Sequence, residues 1–244
     1  MEKNAFVTGG GRGIGAAVAR RLSREGWTVA IHCHRSRDAA QALCRELRGE
    51  GGRCAVYSAD MSDREAITAA IQKAGEELGP ISLLVNNAGI ARQEMFQDVT
   101  PEFWRKIFAV NVDGPFYACQ AVLPHMLHVK HGCIVNLSSI WGLRGASCEV
   151  AYAATKAAVI GLTRSLAAEL APSGIRVNCV APGVVATDMV RQLGEETMAE
   201  LAEETPMGRL GTPEDIAQAV AFFADDRSGF ITGQVLTADG GFIL

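Results

Sequence analysis

Thr8-Gly9-Gly10-Gly11-Arg12-Gly13-Ile14-Gly15 decides the fold. Residues 4 to 8 (Asn-Ala-Phe-Val-Thr) lead into it as a short buried strand, and Ile14 to Arg24 leaves it as a helix. A glycine loop in that position leaves backbone N–H groups facing a common point, and the helix dipole adds attraction for an anion. Gly9 is expected to permit the turn, Gly13 a close approach to the backbone, and Gly15 the packing of helix on sheet. The ligand such a loop holds is a pyrophosphate, and hence a dinucleotide.

Outward from this loop, short apolar runs alternate with longer amphipathic ones. Strands are expected at Thr28 to His32, Cys54 to Ser58, Ile81 to Val85, Ile134 to Leu137, Arg176 to Val180 and Gln234 to Thr237. Helices are expected at Asp38 to Leu47, Arg64 to Leu78, Pro101 to Val129 (broken near Gly114-Pro115), Ala151 to Leu170, and from Thr212-Pro213-Glu214 onward. Residues 187 to 207 are acidic and helical in tendency. The alternation predicts one α/β domain spanning residues 1–244. It is a doubly wound Rossmann fold with a seven-stranded parallel sheet flanked by helices, its ligand crevice at the carboxyl ends of the strands.

Composition narrows the function. The chain is 48% hydrophobic, enough for a sizeable core, and its 26 glycines cluster without a collagen period. The 23 basic and 27 acidic residues are mixed along the chain, with no basic block to track a nucleic acid backbone. No apolar run approaches the roughly 18 residues of a membrane span, and the first strand starts too early to follow a signal peptide. A cytoplasmic protein is expected. The seven cysteines show no CxxC pair, and His32, His34, His125, His128 and His131 lack a placed carboxylate, so no metal site and no disulfide framework are expected.

Tyr152-Ala-Ala-Thr-Lys156 puts a phenol and an ammonium four residues apart on one helix face. That pairing suits general acid/base chemistry, and the cation is expected to lower the tyrosine's proton affinity toward neutrality. Ser139 ends the strand before this helix, where its hydroxyl could polarise a substrate oxygen. Ser138 is chemically identical, but successive strand side chains point opposite ways. Asn111 sits mid-helix, a poor place for asparagine. No carboxylate follows the second strand before Asp38, which removes the usual obstacle to a 2′-phosphate, and Arg12, Arg35 and Arg37 are available to bind one. NADP(H) is therefore the expected cofactor, with hydride transfer as the chemistry.

The spacing T-G-x-x-x-G-x-G resembles that of the short-chain dehydrogenases and reductases, and the resemblance spans the chain. It includes Asn86-Asn87-Ala88-Gly89, Asp60, Pro182-Gly183 with Thr187, Ser139 two residues before Gly142, the Tyr152–Lys156 pair, and Ile231-Thr232-Gly233 through Asp239-Gly240-Gly241. It implies that Tyr152 protonates a carbonyl oxygen, that Ser139 fixes that oxygen, and that Lys156 holds the cofactor ribose. It implies further that Asn111 opens its helix and holds a water linking the lysine to solvent. The cofactor would lie against Gly9, Gly11, Arg12, Gly13, Ile14 and Gly15, with Arg35 at the phosphate and Asp60 and Met61 at the adenine. Asn87, Ala88 and Gly89 would continue the contact, and Pro182, Gly183, Val185 and Thr187 would flank the nicotinamide. Cys33 stands where NAD-specific members carry aspartate.

Within the family, Pro206 to Gly211 and the closing segment are most similar to 3-oxoacyl-[acyl-carrier-protein] reductases, with acetoacetyl-CoA, ketone, sugar or steroid reductases as alternatives. A non-catalytic dinucleotide sensor is the distant alternative. The substrate is expected against Ser139, Trp141 and Tyr152, in a slot lined by Ile140, Leu143 and Met95, with Met189 and Val190 on a lid and Glu149 unexpectedly beside it. Resemblance to those acyl-carrier-protein reductases implies docking of the acidic carrier through paired arginines near the active-site mouth; Lys130, which could serve, and Ser173, which could not, stand at those positions, with Arg92, Arg144, Arg191 and Arg209 as possible substitutes. A homotetramer is implied, with the Pro101 to Val129 and Ala151 to Leu170 helices at one interface.

Overall fold

Seven strands form one sheet in the order β3-β2-β1-β4-β5-β6-β7, every neighbouring pair parallel. This is a computed structural model, and it describes residues 3–187 and 194–243. The strands are β1 (Asn4–Val7), β2 (Thr28–Cys33), β3 (Cys54–Ser58), β4 (Leu83–Asn86), β5 (Gly132–Leu137), β6 (Ile175–Pro182) and β7 (Val235–Ala238). They lie within two or three residues of their expected places. The order reverses between β1 and β4, so the loops after these two strands diverge and open a crevice.

The helices are α1 (Gly13–Arg24), α2 (Arg37–Gly49), α3 (Arg64–Leu78), α4 (Pro101–Phe108), α5 (Gly114–Val129), α6 (Trp141–Arg144), α7 (Val150–Leu170), α8 (Glu195–Glu204) and α9 (Pro213–Ala224). Two apolar layers cover the sheet. One packs α1, α2 and α9 on one face through residues such as Leu22, Leu43 and Phe223; the other packs α3, α5 and α7 on the opposite face through Ile67, Met126 and Leu170. The central strands are buried on both faces, which is why they read as unbroken apolar runs rather than alternating ones.

The long helix expected over Pro101 to Val129 is interrupted earlier than Gly114-Pro115. A π turn spans Ala109–Asp113 and joins α4 to α5, with Asn111 buried at its centre. Gly114 and Pro115 instead begin α5, where the missing proline N–H costs nothing. The short helix α6 had no periodicity to announce it. Thr212 starts α9 with a full capping box to Asp215. No helix among the described residues is long and apolar enough to cross a membrane.

Candidate active site

The loop after β4 meets the glycine loop, which follows β1, at the sheet's reversal point. Gly9 and Gly13 take positive φ (62° and 51°), a conformation L side chains rarely adopt. A Cβ on Gly15 would lie 2.3 Å from the Gly9 carbonyl oxygen and 2.6 Å from Asn87 Nδ2, so the tightest approach is helix on loop. Thr8 Oγ1 accepts the N–H groups of Asn87 (2.9 Å) and Ala88 (3.0 Å), and Asn87 Nδ2 donates back to the Thr8 and Gly9 carbonyls. A Cβ on Gly11 would sit 3.0 Å from Ser36 Oγ, at the foot of α2, so exposed Arg12, Arg35 and Arg37 stand around one contact.

An open groove runs from Gly11, Arg12 and Gly13 to Ala186 and Thr187, joining the two ends of the expected cofactor track. Its wall is bare main chain at a helix N-terminus with cations beside it, which fits a dinucleotide. Ile14 packs partly into the core, and Met61 and Val185 are buried, so these three offer a ligand chiefly their backbone. Asp60 stays half-exposed, its Oδ1 accepting from the Ser62 N–H and hydroxyl.

The carboxyl end of β5 faces α7, and here the expected catalytic residues gather. Lys156 is buried and its Nζ donates to the Leu137 carbonyl at 2.8 Å, 5.5 Å from the centre of the Tyr152 ring. The two serines separate as expected. Ser138 Oγ donates to the Lys156 carbonyl at 2.8 Å and pins α7, whereas Ser139 Oγ accepts from the Trp141 N–H at 3.2 Å and faces the phenol. Gly142 makes this possible, because a Cβ there would lie 2.7 Å from the Lys156 backbone. Both amide hydrogens of Asn111 are used, toward Ile90 O (2.9 Å) and Thr155 Oγ1 (3.1 Å), while its Oδ1 accepts from Ile90 N–H (2.8 Å). Its side chain thus ties the β4 loop to α7.

Electrostatics correct one expectation. Burial, with a further push from the Glu149 carboxylate, raises the Tyr152 phenol to about 12, against a smaller pull from the Ser139 hydroxyl. Burial also draws Lys156 down to about 8. Desolvation dominates the phenol, while Nζ donates to the Leu137 carbonyl. The phenol is therefore held in its protonated form.

The substrate side differs from expectation in two places. Ile140 is buried in the core with 1% exposure and cannot line a slot, whereas Trp141, Leu143 and Met95 remain accessible. Trp141 meets Phe242 edge-on at 5.9 Å, bringing the closing segment to the pocket. Glu149 is half-buried, accepts from Gln93 Nε2 at 3.2 Å, and has its carboxyl raised by burial. Arg92 is engaged by Glu94 and lies over the Phe103 ring, and Arg209 by Asp215. Lys130 precedes β5 and Ser173 precedes β6, so both sit at the amino ends of the strands, away from this cleft. Met189, Val190 and Arg191 lie outside the described residues.

His32, unremarkable in sequence, proves to touch the glycine loop: its Nδ1 accepts from Gly9 N–H at 3.2 Å. Only the three-dimensional return of β2 beside β1 reveals it.

Comparison with known proteins agrees with this geometry. Residues 9–243 match the family model described as enoyl-(acyl carrier protein) reductase. A 3-oxoacyl-[acyl-carrier-protein] reductase of Staphylococcus aureus is 38% identical over 244 residues, covering 100% of this chain and 99% of that protein. A 3-oxoacyl-[acyl-carrier protein] reductase of Brucella melitensis with bound NAD superposes with a TM-score of 0.92 at 37% identity, over 100% of this chain and 92% of that one. A blue fluorescent protein from a metagenomic library, in complex with NADPH, gives 0.94 at 39% identity, over 99% and 98%. With the parallel sheet, the glycine loop and the Ser139–Tyr152–Lys156 cluster, these matches show that the chain belongs to the short-chain dehydrogenase/reductase family of NAD(P)H-dependent oxidoreductases and resembles its 3-oxoacyl-[acyl-carrier-protein] reductases.

Proposed function

We propose that the chain reduces the ketone of a 3-oxoacyl thioester, carried on an acyl carrier protein, to the 3-hydroxyacyl form with NADPH. The observation that carries this reading is the meeting of Ser139, Tyr152 and Lys156 at the β4 loop, where a Cβ on Gly89 would lie 3.6 Å from Lys156 Nζ and Asn87 bonds the glycine loop, in a chain whose full-length relatives are named for that substrate. When bound, the reduced nicotinamide supplies a hydride to the carbonyl carbon. Tyr152, protonated up to about pH 12, gives its proton to the carbonyl oxygen. Ser139 holds that oxygen, its own hydroxyl oriented by the Trp141 N–H. Lys156 carries a charge below about pH 8, where it favours the developing phenolate and serves the ribose hydroxyls. Asn111 keeps the π turn and the β4 loop in register with α7, and a water on the turn's carbonyls would return the proton to the lysine. Rates on a panel of acyl-carrier, acyl-CoA and free-ketone substrates test the substrate assignment. A preference for a free ketone over every thioester would overturn it.

NADPH is the preferred cofactor in this reading, because Cys33 is buried where an acid would repel the 2′-phosphate and Arg12, Arg35 and Arg37 are exposed around the Gly11–Ser36 contact. We expect kcat/KM about tenfold higher for NADPH than for NADH, and Arg12→Ala to remove most of that margin by weakening NADPH alone. An unaltered enzyme that favours NADH sinks the assignment.

Glu149 sets the charge of the pocket. Its carboxylate accepts from the neutral Gln93 amide and meets no cation among the described residues, so a neutral thioester should enter where a free 3-oxo acid is repelled. Glu149→Gln is expected to raise kcat/KM for an anionic ketone such as acetoacetate by about tenfold, and for its ethyl ester by less than about threefold. Equal changes would show that the carboxylate does not face the substrate.

We further propose a cytoplasmic homotetramer. Trp104 on α4, Phe116 and Leu127 on α5 and Val150 on α7 are exposed apolar groups, and Gly161 on α7 faces open space, as a helix-to-helix interface between copies requires. Light scattering on the protein at micromolar concentration checks this; a monomer mass refutes it.

A further inference from the structure

We propose that His32 is a positioning residue for the cofactor, an imidazole latch that fastens the glycine loop to the loop after β3. The inference rests on the dinucleotide reading of the glycine loop. His32 lies near the end of β2 and is 1% exposed. Its Nδ1 accepts the Gly9 N–H at 3.2 Å, and its Nε2 lies 3.1 Å from the carbonyl oxygen of Ala59, the residue before Asp60. The partners dictate the tautomer. A backbone N–H can only donate and a carbonyl can only accept, so Nδ1 carries the lone pair and Nε2 the proton.

Main-chain bonds run beside the ring in the same sense. Gly10 N–H donates to the His32 carbonyl at 2.8 Å, and Ala59 N–H donates to the Cys33 carbonyl at 3.1 Å. The ring is held flat by Phe6, which stacks on it at 5.9 Å with an interplanar angle of 28°. Burial draws the imidazole down to about 4, so it is neutral and able to accept at physiological pH. One side chain thus spans two loops that approach the same ligand from opposite sides. Gly9 begins the turn whose N–H groups face a pyrophosphate, and Asp60 marks the adenine end. Fixing their separation fixes the distance between these two subsites before the ligand arrives, and preorganisation of this kind is read as affinity.

The experiment separates latch from filler. His32→Phe keeps an aromatic ring on Phe6 but removes both polar atoms; His32→Asn keeps an acceptor near the Nδ1 position; His32→Gln keeps a donor near the Nε2 position. NADPH and NADH are titrated against each protein by fluorescence of the reduced nicotinamide, with melting temperature and kcat at saturating cofactor measured alongside. His32→Phe is expected to weaken both cofactors about tenfold, the worth of one or two buried hydrogen bonds, while kcat changes by less than about twofold. His32→Asn should bind about fivefold more tightly than His32→Gln, because it alone can accept from Gly9. A melting temperature that falls while both dissociation constants stay at their wild-type values overturns the latch and leaves His32 as core packing. Should the Phe variant not fold, equal affinity in the Asn and Gln variants overturns it as well. Wild-type protein that binds neither cofactor would instead overturn the dinucleotide reading, a separate failure.

Discussion

Tyr152→Phe is expected to cut kcat by roughly 10² or more while leaving cofactor affinity and melting temperature close to wild type. The phenyl ring retains the packing against the Lys156 ammonium, 5.5 Å from the ring centre, so what is lost is the hydroxyl proton alone. Size and selectivity of the effect both matter. A phenol held up at about 12 is a reluctant acid in the resting site, and it gives up its proton only as negative charge grows on the carbonyl oxygen beside it. A variant that keeps more than about a tenth of the wild-type kcat would remove Tyr152 from the acid's role and point to water as the donor. In the reverse direction the phenol must first be deprotonated, so alcohol oxidation should rise with pH over a range where ketone reduction does not.

Lys156→Met should separate activity from stability in opposite directions. Burial depresses the lysine from its ordinary value near 10.5 to about 8, so folding at neutral pH forces a charge into a site that disfavours it. The shift corresponds to about 3 kcal/mol, of which the lost bond to the Leu137 carbonyl returns about 1. The Met variant is therefore expected to be more stable than wild type by about 1–2 kcal/mol at pH 7, and to lose about 10² in kcat/KM. The sign fixes the pH window. Between pH 8 and 10.5 the unfolded chain holds the lysine proton and the folded one does not, so wild-type stability climbs with pH there and the variant's advantage fades. Denaturant unfolding at pH 7 and pH 10 checks this; a variant less stable than wild type at both would mean that the ammonium is better solvated than its surroundings suggest.

The parts of the molecule legible in sequence are those where one physical cause acts locally. Alternating apolar and amphipathic runs gave the strands to within a few residues, since burial on both faces leaves no freedom in composition. The split between Ser138 and Ser139 followed from the two-residue period of a strand. What stayed hidden depends on contacts between distant segments. Gly114-Pro115 looked like a helix breaker, yet the disruption lies at Ala109–Asp113, where the family resemblance puts an opening at Asn111; what sequence does not show is that its amide is claimed by Ile90 and Thr155. The phenol's direction of shift was misjudged because helical spacing shows the cation but not the burial of the ring or the approach of the Glu149 carboxylate. His32 carried no motif, and Lys130 only looked close to the cleft, since a position in sequence does not say at which end of a strand it lies.

Helix α7 joins the reactive groups to the core along a single face. Tyr152 and Lys156 lead to Thr155, held by Asn111, with the Lys156 carbonyl bonded to Ser138; farther along, Thr163 accepts from Asn136, itself bonded to Asn86 on β4. Tyr152 and Lys156 aside, a change of side chain on that face, at Thr155 or Thr163, breaks a buried bond that holds the reactive groups in place, so it has little freedom to drift. The segments at residues 93–95 and 143–149, joined by Glu94 N–H to Cys148 O and by Gln93 to Glu149, are tied to each other rather than to the reactive groups. New substrate preferences in this scaffold should therefore accumulate in those rim segments while the helix stays constant. A mutational library confined to the rim should yield altered selectivity at far higher frequency than one of equal size on α7.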